Sequence, residues 1–400
     1  MCRANQPPGT IYRSERHRGM QHMPNTAVNQ QTSQIADWMR LSALELNPVR
    51  AHELLDAFQG DPSAIFSVGS SEIRKYQPQM TENQCQRFVD VQKRSFTKEQ
   101  DVMGKLGATC VTVQDHNYPS SLKQLPDAPP VLFVRGTLQS EFKFSVAIVG
   151  SRRASSYGLT LSGHFAKELA NHGLTIVSGG ARGVDTQAHR GALDAGGRTV
   201  AFIGSGIDVT YPKDNKKLFE DIVDQGGAII SEYVVGTRPE PWRFPARNRL
   251  ISGLSLGVLV IESPMDSGSL ITAREAADQG RDVFAIPGPI DTGRNSGCHK
   301  LIQDGAKLVE NVDDILNELG VLALKSPGAP SGSAGSQRTQ LSLPPEQRLI
   351  LDMLDLQAKT VDSLIVASRI NAPQVVGILT MLEMKGLARR VAGNAFIRVL

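Results

Sequence analysis

Cysteine is scarce, and the four present (Cys2, Cys85, Cys110 and Cys298) are scattered with no C-x-x-C pair. Their spacing argues against a zinc site and a disulfide framework, and it suits a reducing, cytoplasmic setting. Aromatic residues make up only 5% of the chain. No apolar run approaches the length needed to cross a bilayer, so no membrane association is expected. The first thirty residues carry Arg3, Arg13, Arg16 and Arg18 with no hydrophobic segment behind them, which argues against a secretory signal. They are rich in Gln, Asn and Pro, so residues 1–30 are expected to be disordered, and Met20 and Met23 offer alternative starts. A large charge of one sign is missing too. The formal net charge is +3, so any basic surface must arise from local clustering.

Several enzyme signatures are also missing. There is no G-x-x-x-x-G-K-[ST] phosphate loop, no H-E-x-x-H and no G-x-S-x-G. The dinucleotide fingerprint fails because Gly150-Ser151-Arg152 puts an arginine where a second glycine would let pyrophosphate approach. Asp185 and His189 are spaced to share a helix face. A capping Asp beside a hydrogen-bonded His is the commoner meaning of that spacing than a metal or acid–base pair. Glu232 and Glu262 stand at strand ends, where each could act chemically or simply neutralise nearby arginines.

What is present is length and a strong alternation. The 400 residues, 40% of them hydrophobic, allow two or three domains with real cores. Residues 31–100 repeat apolar positions at helical spacing and read as a small helical domain, of the size of a SAM or helix-hairpin-helix module. Asn47-Pro48-Val49 occupies a turn where a DNA-binding hairpin would want glycines, which favours a packing or interaction role. From residue 101 to 320, short extended segments give way to buried apolar runs separated by helices. The expected strands are Val146–Gly150, Thr175–Ser178, Thr199–Gly204, Ala228–Ser231, Val258–Glu262 and Asp282–Ile286, with a last one near Ala306–Val309. This pattern predicts an α/β domain, a Rossmann-like doubly wound parallel sheet, with the 107–136 segment adding to an edge. Residues 321–345 are rich in Ser, Gly and Pro and read as a flexible linker. Residues 346–400 read as three helices and a hairpin, a winged helix. Its third helix carries only Lys385 as a base, and Arg389, Arg390 and Arg398 lie on the wing. A protein contact is therefore at least as well supported as duplex binding.

Open parallel sheets bind ligands beyond the carboxyl ends of their strands. The non-packing residues fall there. The strand at Val146 runs into Gly150-Ser151-Arg152-Arg153, with Ser155 and Ser156 placed to cap the following helix. Later strands run into Ser178-Gly179-Gly180-Ala181-Arg182-Gly183, Tyr211-Pro212-Lys213, Phe244-Pro245-Ala246-Arg247-Asn248-Arg249 and Ser267-Gly268-Ser269. Glycine-rich turns, helix N-termini and arginine forks together suit phosphate. Arg152, Arg153, Arg182, Arg247 and Arg249 are expected along one edge, with Lys213, Lys216 and Lys217 beside it. Phe219, Trp242 and Phe244 are candidate stacking surfaces or core.

These segments, together with Ser231-Glu232-Tyr233, the continuation Leu270-Ile271-Thr272-Ala273 and Val283-Phe284-Ala285-Ile286-Pro287-Gly288, resemble the bacterial DNA-processing protein A family (DprA/Smf), in that family's order. The resemblance implies a non-enzymatic binder of single-stranded DNA that protects incoming strands in natural transformation, dimerises through its Rossmann-like domain and loads the recombinase RecA. It implies no metal, cofactor or catalytic residue. By motif, Gly150, Ser151, Arg152 and Arg153 form the first phosphate-contacting turn, Lys213 is a DNA-facing base, and Arg247, Asn248 and Arg249 form the Arg-Asn-Arg segment. Gly180 departs from the family, which more often has a larger apolar residue there, and is expected to loosen its loop slightly. A competing reading uses the same loops to hold a small phosphorylated nucleoside, as in the lysine-decarboxylase-like nucleotide hydrolases, with Glu262 as a catalytic carboxylate. A transcription regulator led by the winged helix is disfavoured by that domain's few bases.

Overall fold

The computed structural model describes residues 25–138, 142, 144–320, 344–354, 359–385, 387–391 and 395–398. Helix α1 (Asn25–Ala43) begins inside the stretch expected to lack order, and residues 1–24 lie outside the described residues. Five more helices follow: α2 (Pro48–Ala57), α3 (Pro62–Ser67), α4 (Ser70–Tyr76), α5 (Glu82–Lys93) and α6 (Thr97–Leu106). The starts of α2, α3 and α5 are chemically marked. Asn47 and Asp61 accept from the backbone N–H groups of Val49 and Ser63, and Thr81 with Gln84 forms a reciprocal capping box.

Next come β1 (Ala108–Thr112), α7 (Ser120–Lys123), β2 (Val131–Gly136), β3 (Ser145–Val149), α8 (Ser156–Asn171), β4 (Thr175–Ser178), α9 (Val184–Asp194) and β5 (Thr199–Ile203). They continue as α10 (Lys216–Asp224), β6 (Ala228–Ser231), α11 (Arg243–Leu254), β7 (Gly257–Val260), α12 (Ser269–Asp278), β8 (Asp282–Ala285), α13 (Ser296–Gln303), β9 (Lys307–Leu308) and α14 (Val312–Glu318). A 3₁₀ turn at Lys213–Asn215 leads into α10.

All nine strands join one sheet in the order β1-β2-β6-β5-β4-β3-β7-β8-β9. From β6 to β9 every neighbouring pair is parallel, and β1 and β2 add an antiparallel edge. Successive strands march one way from β3 to β6, and the chain then crosses to β7 on the other side of β3. That reversal makes the β3/β7 junction the topological switch point of a Rossmann-like doubly wound sheet. Every residue of β3 to β7 is buried, which explains their near-continuous apolar sequences.

Alternating residues feed opposite faces. Val146 and Ile148 pack with α8, α9 and α14 through Phe165, Leu169, Val184 and Ile315. Ala147 and Val149 pack with α11 and α12 through Leu250, Ile251, Ala273 and Ala276. Farther along the sheet, Val131, Phe133, Ala201, Ile203 and Ile229 share a single cluster with α10 and with core residues of α1 to α6, such as Trp38, Leu54, Ile65 and Phe88. The helical region is thus packed directly on the sheet.

The winged helix comprises α15 (Pro345–Met353), β10 (Lys359–Thr360), α16 (Val361–Ser368), α17 (Ala372–Met384), β11 (Ala388–Val391) and β12 (Ala395–Arg398). Its three strands pair in the order β10-β12-β11 over a core that includes Ile350, Leu364, Leu379, Leu382 and Phe396. Pro373 falls in the first turn of α17, capped by Asn371. Of the expected linker, residues 321–343 lie outside the described residues and Pro345 already opens α15; residues 392–394 of the expected hairpin also lie outside them. Among the described residues, no single helix is long and apolar enough to cross a membrane.

Candidate nucleic-acid interface

A cleft of about 780 Å³ opens at the switch point, beyond the carboxyl ends of the strands. Gly150, Ser151, Arg152 and Arg153 line it from the β3–α8 turn, Arg247 and Asn248 from α11, and Ser267, Gly268 and Ser269 from the start of α12. Gly150 is required by close packing. A side chain there would reach within 2.7 Å of Val184 Cγ2 and 3.0 Å of the Glu262 carbonyl. The Ser151 N–H donates to that carbonyl at 2.7 Å, and the Ser151 hydroxyl accepts from the Arg153 N–H at 3.1 Å. The turn is thereby fixed while the side chains of Arg152 and Arg153 stay exposed. Ser155 caps α8, as its position suggested, and Ser156 is the first helical residue.

On the opposite wall, Ser267 and Ser269 hydroxyls bond each other at 2.7 Å, and Ser269 bonds Ser263 at 2.9 Å. The Asn248 amide donates to the Gly268 carbonyl at 3.3 Å. Gly183 lies just outside the cleft with φ +82°, and a side chain there would collide with the Ser151 carbonyl. It therefore lets the loop after β4 touch the loop after β3.

The structure parts several other expected site residues from the cleft and buries Arg247 in its floor. Ser178 is fully buried, and its hydroxyl donates to the Ile148 carbonyl at 2.7 Å, tying β4 to β3. The Gly179 N–H donates to Asp185 at 3.2 Å, and its carbonyl accepts from Arg247. Arg182 and Lys213 are exposed on the flank, and Arg182 makes a forked pair with Asp214 at 2.9 and 2.7 Å. Arg247 forms the floor of the cleft, only 4% exposed, with Nη1 donating to the Gly179 carbonyl at 2.7 Å and to the Phe202 carbonyl. The expectation that Arg247 and Arg249 stand together on the rim is corrected for both. Arg249 is buried and faces a second cavity, held by Asp127 at 2.7 Å and Glu232 at 2.5 Å. Of the three candidate aromatics, Phe219 is core and Trp242 lines the second cavity, leaving Phe244 in the cleft.

Arg294, Thr292 and Gly293 also line the cleft, from the loop after β8. The strand-end rule should have reached them, because that loop follows a strand just as the others do. Arg294 donates to the Arg153 carbonyl at 3.3 Å and lies 3.9 Å from Glu262. Gly180 has a packing reason: its φ is +65°, and a side chain would strike the Phe219 ring at 2.8 Å.

The charges at the floor are strongly perturbed. Burial pushes the Asp185 carboxyl up to about 6, partly opposed by Arg247 and by N–H donors from Ala181 and Gly179. Burial lowers Arg247 to about 10 and His189 to about 3. His189 Nδ1 meets the Thr199 hydroxyl at 2.7 Å, and that hydroxyl itself donates to the Ile176 carbonyl. His189 is therefore a neutral donor inside the core. Asp185 instead binds the 179–181 backbone, so the two do not act as a pair. Glu262 is 2% exposed, accepting from the Ser155 N–H at 2.9 Å and from the Ser155 hydroxyl. Among the described residues, no group of three or more His, Cys, Asp or Glu could hold a metal ion.

The fold and cleft define a Rossmann-like protein with an open, arginine-edged cleft at its switch point and an appended winged helix. The family model described as DNA recombination-mediator protein A matches residues 109–320, and that of the DprA winged helix domain matches residues 334–394. Protein Smf of Escherichia coli (strain K12) is 38% identical over 321 residues, covering 79% of this chain and 84% of that protein. DNA processing protein DprA of Streptococcus pneumoniae (strain ATCC BAA-255 / R6) is 50% identical over 208 residues, covering 52% of this chain and 73% of that protein. A crystal structure of DNA processing protein A from Streptococcus pneumoniae superposes with a TM-score of 0.59 at 38% identity, covering 70% of this chain and 95% of that one. The chain belongs to the DNA recombination-mediator protein A (DprA/Smf) family.

Proposed function

We propose that this chain is a non-enzymatic recombination mediator that binds single-stranded DNA through the switch-point cleft. In this reading it acts in the cytoplasm as a homodimer, protects incoming strands in natural transformation and loads RecA. The recombination role, dimerisation and RecA partnership rest on family membership. The DNA reading rests on one observation: Arg152, Arg153 and Arg294 stand exposed around the cleft while its carboxylates are engaged by backbone and serine donors. Such a site offers cations and N–H groups to a phosphate chain and supplies little base readout.

The nucleotide-hydrolase reading needs Glu262 as a base or nucleophile. Both its oxygens are instead held at the start of α8 by Ser155. The test is a titration of labelled single-stranded oligonucleotide across a salt series, with duplex and nucleoside monophosphate as competitors. The mediator reading predicts tight single-strand binding that weakens steeply with salt and that neither competitor displaces. Displacement by a mononucleotide, with turnover, would sink it.

A further inference from the structure

No residue of α1 to α6 lines the cleft, yet those helices hold one of its walls. Arg243, the first residue of α11, is only 8% exposed. Its guanidinium lies 4.6 Å from the ring centroids of both Tyr233 and Trp242. Its Nη2 donates to Glu45 Oε1 at 3.0 Å, while Nε and Nη1 are buried without a partner. Among the described residues, Glu45 is the carboxylate that neutralises this cation. A buried guanidinium with idle donors is costly, and a helix start is the wrong end of the dipole for a positive charge. Helix α11 has no side-chain cap and no acidic residue in its first turn, so the offset comes from outside it. The turn after α1 supplies it. Glu45 is held there at φ +48°, a left-handed conformation that residues with a side chain seldom adopt. The same turn makes a second tie to the sheet end, the Ser42 hydroxyl donating to the Glu232 carbonyl at 2.9 Å. Glu45 Oε1 also meets Arg87 of α5 at 3.0 Å, on a more exposed limb.

What Arg243 anchors borders the cleft. Phe244 follows it, lines the cleft and carries the Arg152 guanidinium 5.0 Å from its ring centroid. Arg247, one turn further on, forms the floor. The helix start packs closely on Gly204, where a side chain would come within 3.1 Å of Phe244 Cδ1 and 3.4 Å of the Arg243 carbonyl. A shift of this first turn therefore moves an aromatic wall and, through it, an arginine. We infer that Glu45 is a positioning residue for the cleft: it clamps Arg243 and so sets the first turn of α11, with Phe244, Arg152 and Arg247 held in place as a result. This rests on the single-strand reading and deepens it. It gives the helical region a part in binding with no contact to the strand.

The experiment titrates end-labelled oligothymidine by anisotropy against the intact chain, at a temperature where circular dichroism shows each variant folded. Wild type is compared with Glu45→Ala, Arg243→Met, the double variant, Arg87→Ala and Leu54→Ala. Arg243→Met fills the slot between the two rings without a lone buried charge, so it carries the test should Glu45→Ala not fold. Leu54 is a fully buried core residue of α2, and its truncation lowers stability while leaving the clamp intact. Coupling within one polar network predicts that Glu45→Ala and Arg243→Met each weaken binding by roughly tenfold and that the double variant weakens it no further. Leu54→Ala and Arg87→Ala should bind as wild type does. In a Trp38→Phe background Trp242 is the one remaining tryptophan. Its quenching by acrylamide should rise in Glu45→Ala and Arg243→Met and stay unchanged in Leu54→Ala. Wild-type affinity in a folded Glu45→Ala or in Arg243→Met, losses that add in the double variant, or an equal loss in Leu54→Ala overturns the clamp and leaves single-strand binding intact. A loss in Arg87→Ala with a flatter salt slope would lay the strand on α5 and overturn it as well. Failure of wild type to bind oligothymidine overturns the single-strand reading and the clamp with it.

Discussion

Arg247 and Arg249 stand two positions apart on α11 and serve opposite sides of it. Arg247 reaches the carbonyls of Gly179 and Phe202 at the cleft floor, and Arg249 turns to Asp127 and Glu232 in the second cavity. Helix geometry dictates this, since two residues advance the side-chain direction by roughly 200°. The Arg-Asn-Arg segment is therefore two buried struts with different loads.

Replacing Arg249 should be a stability experiment. Burial alone would lower its pKa, but Glu232 and Asp127 outweigh that and raise it. Arg249→Ala leaves two carboxylates facing each other without their cation and is expected to cost about 3–5 kcal/mol. Urea denaturation measures the loss. In the fraction that remains folded, the salt slope of single-strand binding should match wild type.

Arg152→Ala should do the reverse. Its side chain is exposed, so unfolding free energy should stay within about 0.5 kcal/mol of wild type. The slope of log K against log salt should flatten by about 0.7. Anisotropy titrations over a salt series decide it, and an unchanged slope would remove Arg152 from the interface.

Arg182 is exposed beside Lys213 but is shared with Asp214. Asp214→Asn should release its charge, tighten single-strand binding at low salt and steepen the slope by up to about 0.7. The effect should vanish in the Arg182→Ala, Asp214→Asn double variant.

Two glycines with positive φ should separate strain from collision. Gly196 has φ +65° and no neighbouring atom within 4 Å of where a Cβ would sit, so Gly196→Ala should cost about 1 kcal/mol and leave binding alone. Gly183→Ala adds a clash with the Ser151 backbone and should displace the turn that carries Arg152. Thermal melts and oligonucleotide titration of both variants test the contrast.

Asp185 and His189 should make stability respond to pH in opposite directions. The Asp185 carboxyl is raised from 3.8 to about 6, so its contribution is full below pH 4 and is lost as pH rises through 6. His189 is lowered from 6.5 to about 3, so its contribution is full above pH 6.5 and is lost as pH falls toward 3. Between pH 4 and 6 the two slopes largely cancel. Asp185→Asn should leave a variant that weakens on acidification across this window, and His189→Asn one that strengthens. Denaturation midpoints at pH 4, 5 and 6 provide the check.

Much of this architecture can be read in advance because the strands announce themselves. Thr175–Ser178 and Ala228–Ser231 are short apolar runs, one ending at Gly179 and the other starting after Gly227, and both appear with those bounds. The cleft walls are legible through strand ends. Direction is not. Nothing in the order Arg-Asn-Arg says which side of a helix each side chain meets, because that depends on Asp127, far away in the chain. Phe219 and Phe244 look alike in sequence, and only the placement of α10 against the sheet puts one in the core. Tyr211 is conspicuous in sequence only as part of Tyr-Pro, while its packing on Phe244, with ring centroids 5.4 Å apart, depends on the loop after β5 meeting the start of α11 in space. The 3₁₀ turn at Lys213–Asn215 also depends on tertiary contacts, with Asn215 bonding the Gly180 carbonyl at 3.0 Å.

The shared cluster that joins α1 to α6 with β2, β5, β6 and α10 has a practical consequence for dissecting the molecule. A fragment starting at the first strand would carry Val131, Phe133, Ile203 and Phe219 with their covering layer stripped off. Such a piece would be sticky in solution, and loss of activity after trimming would say nothing about whether the helices touch DNA. The useful cut lies elsewhere: point changes on the outer surface of those helices, made in the intact chain, would reveal a recruiting role without baring the sheet.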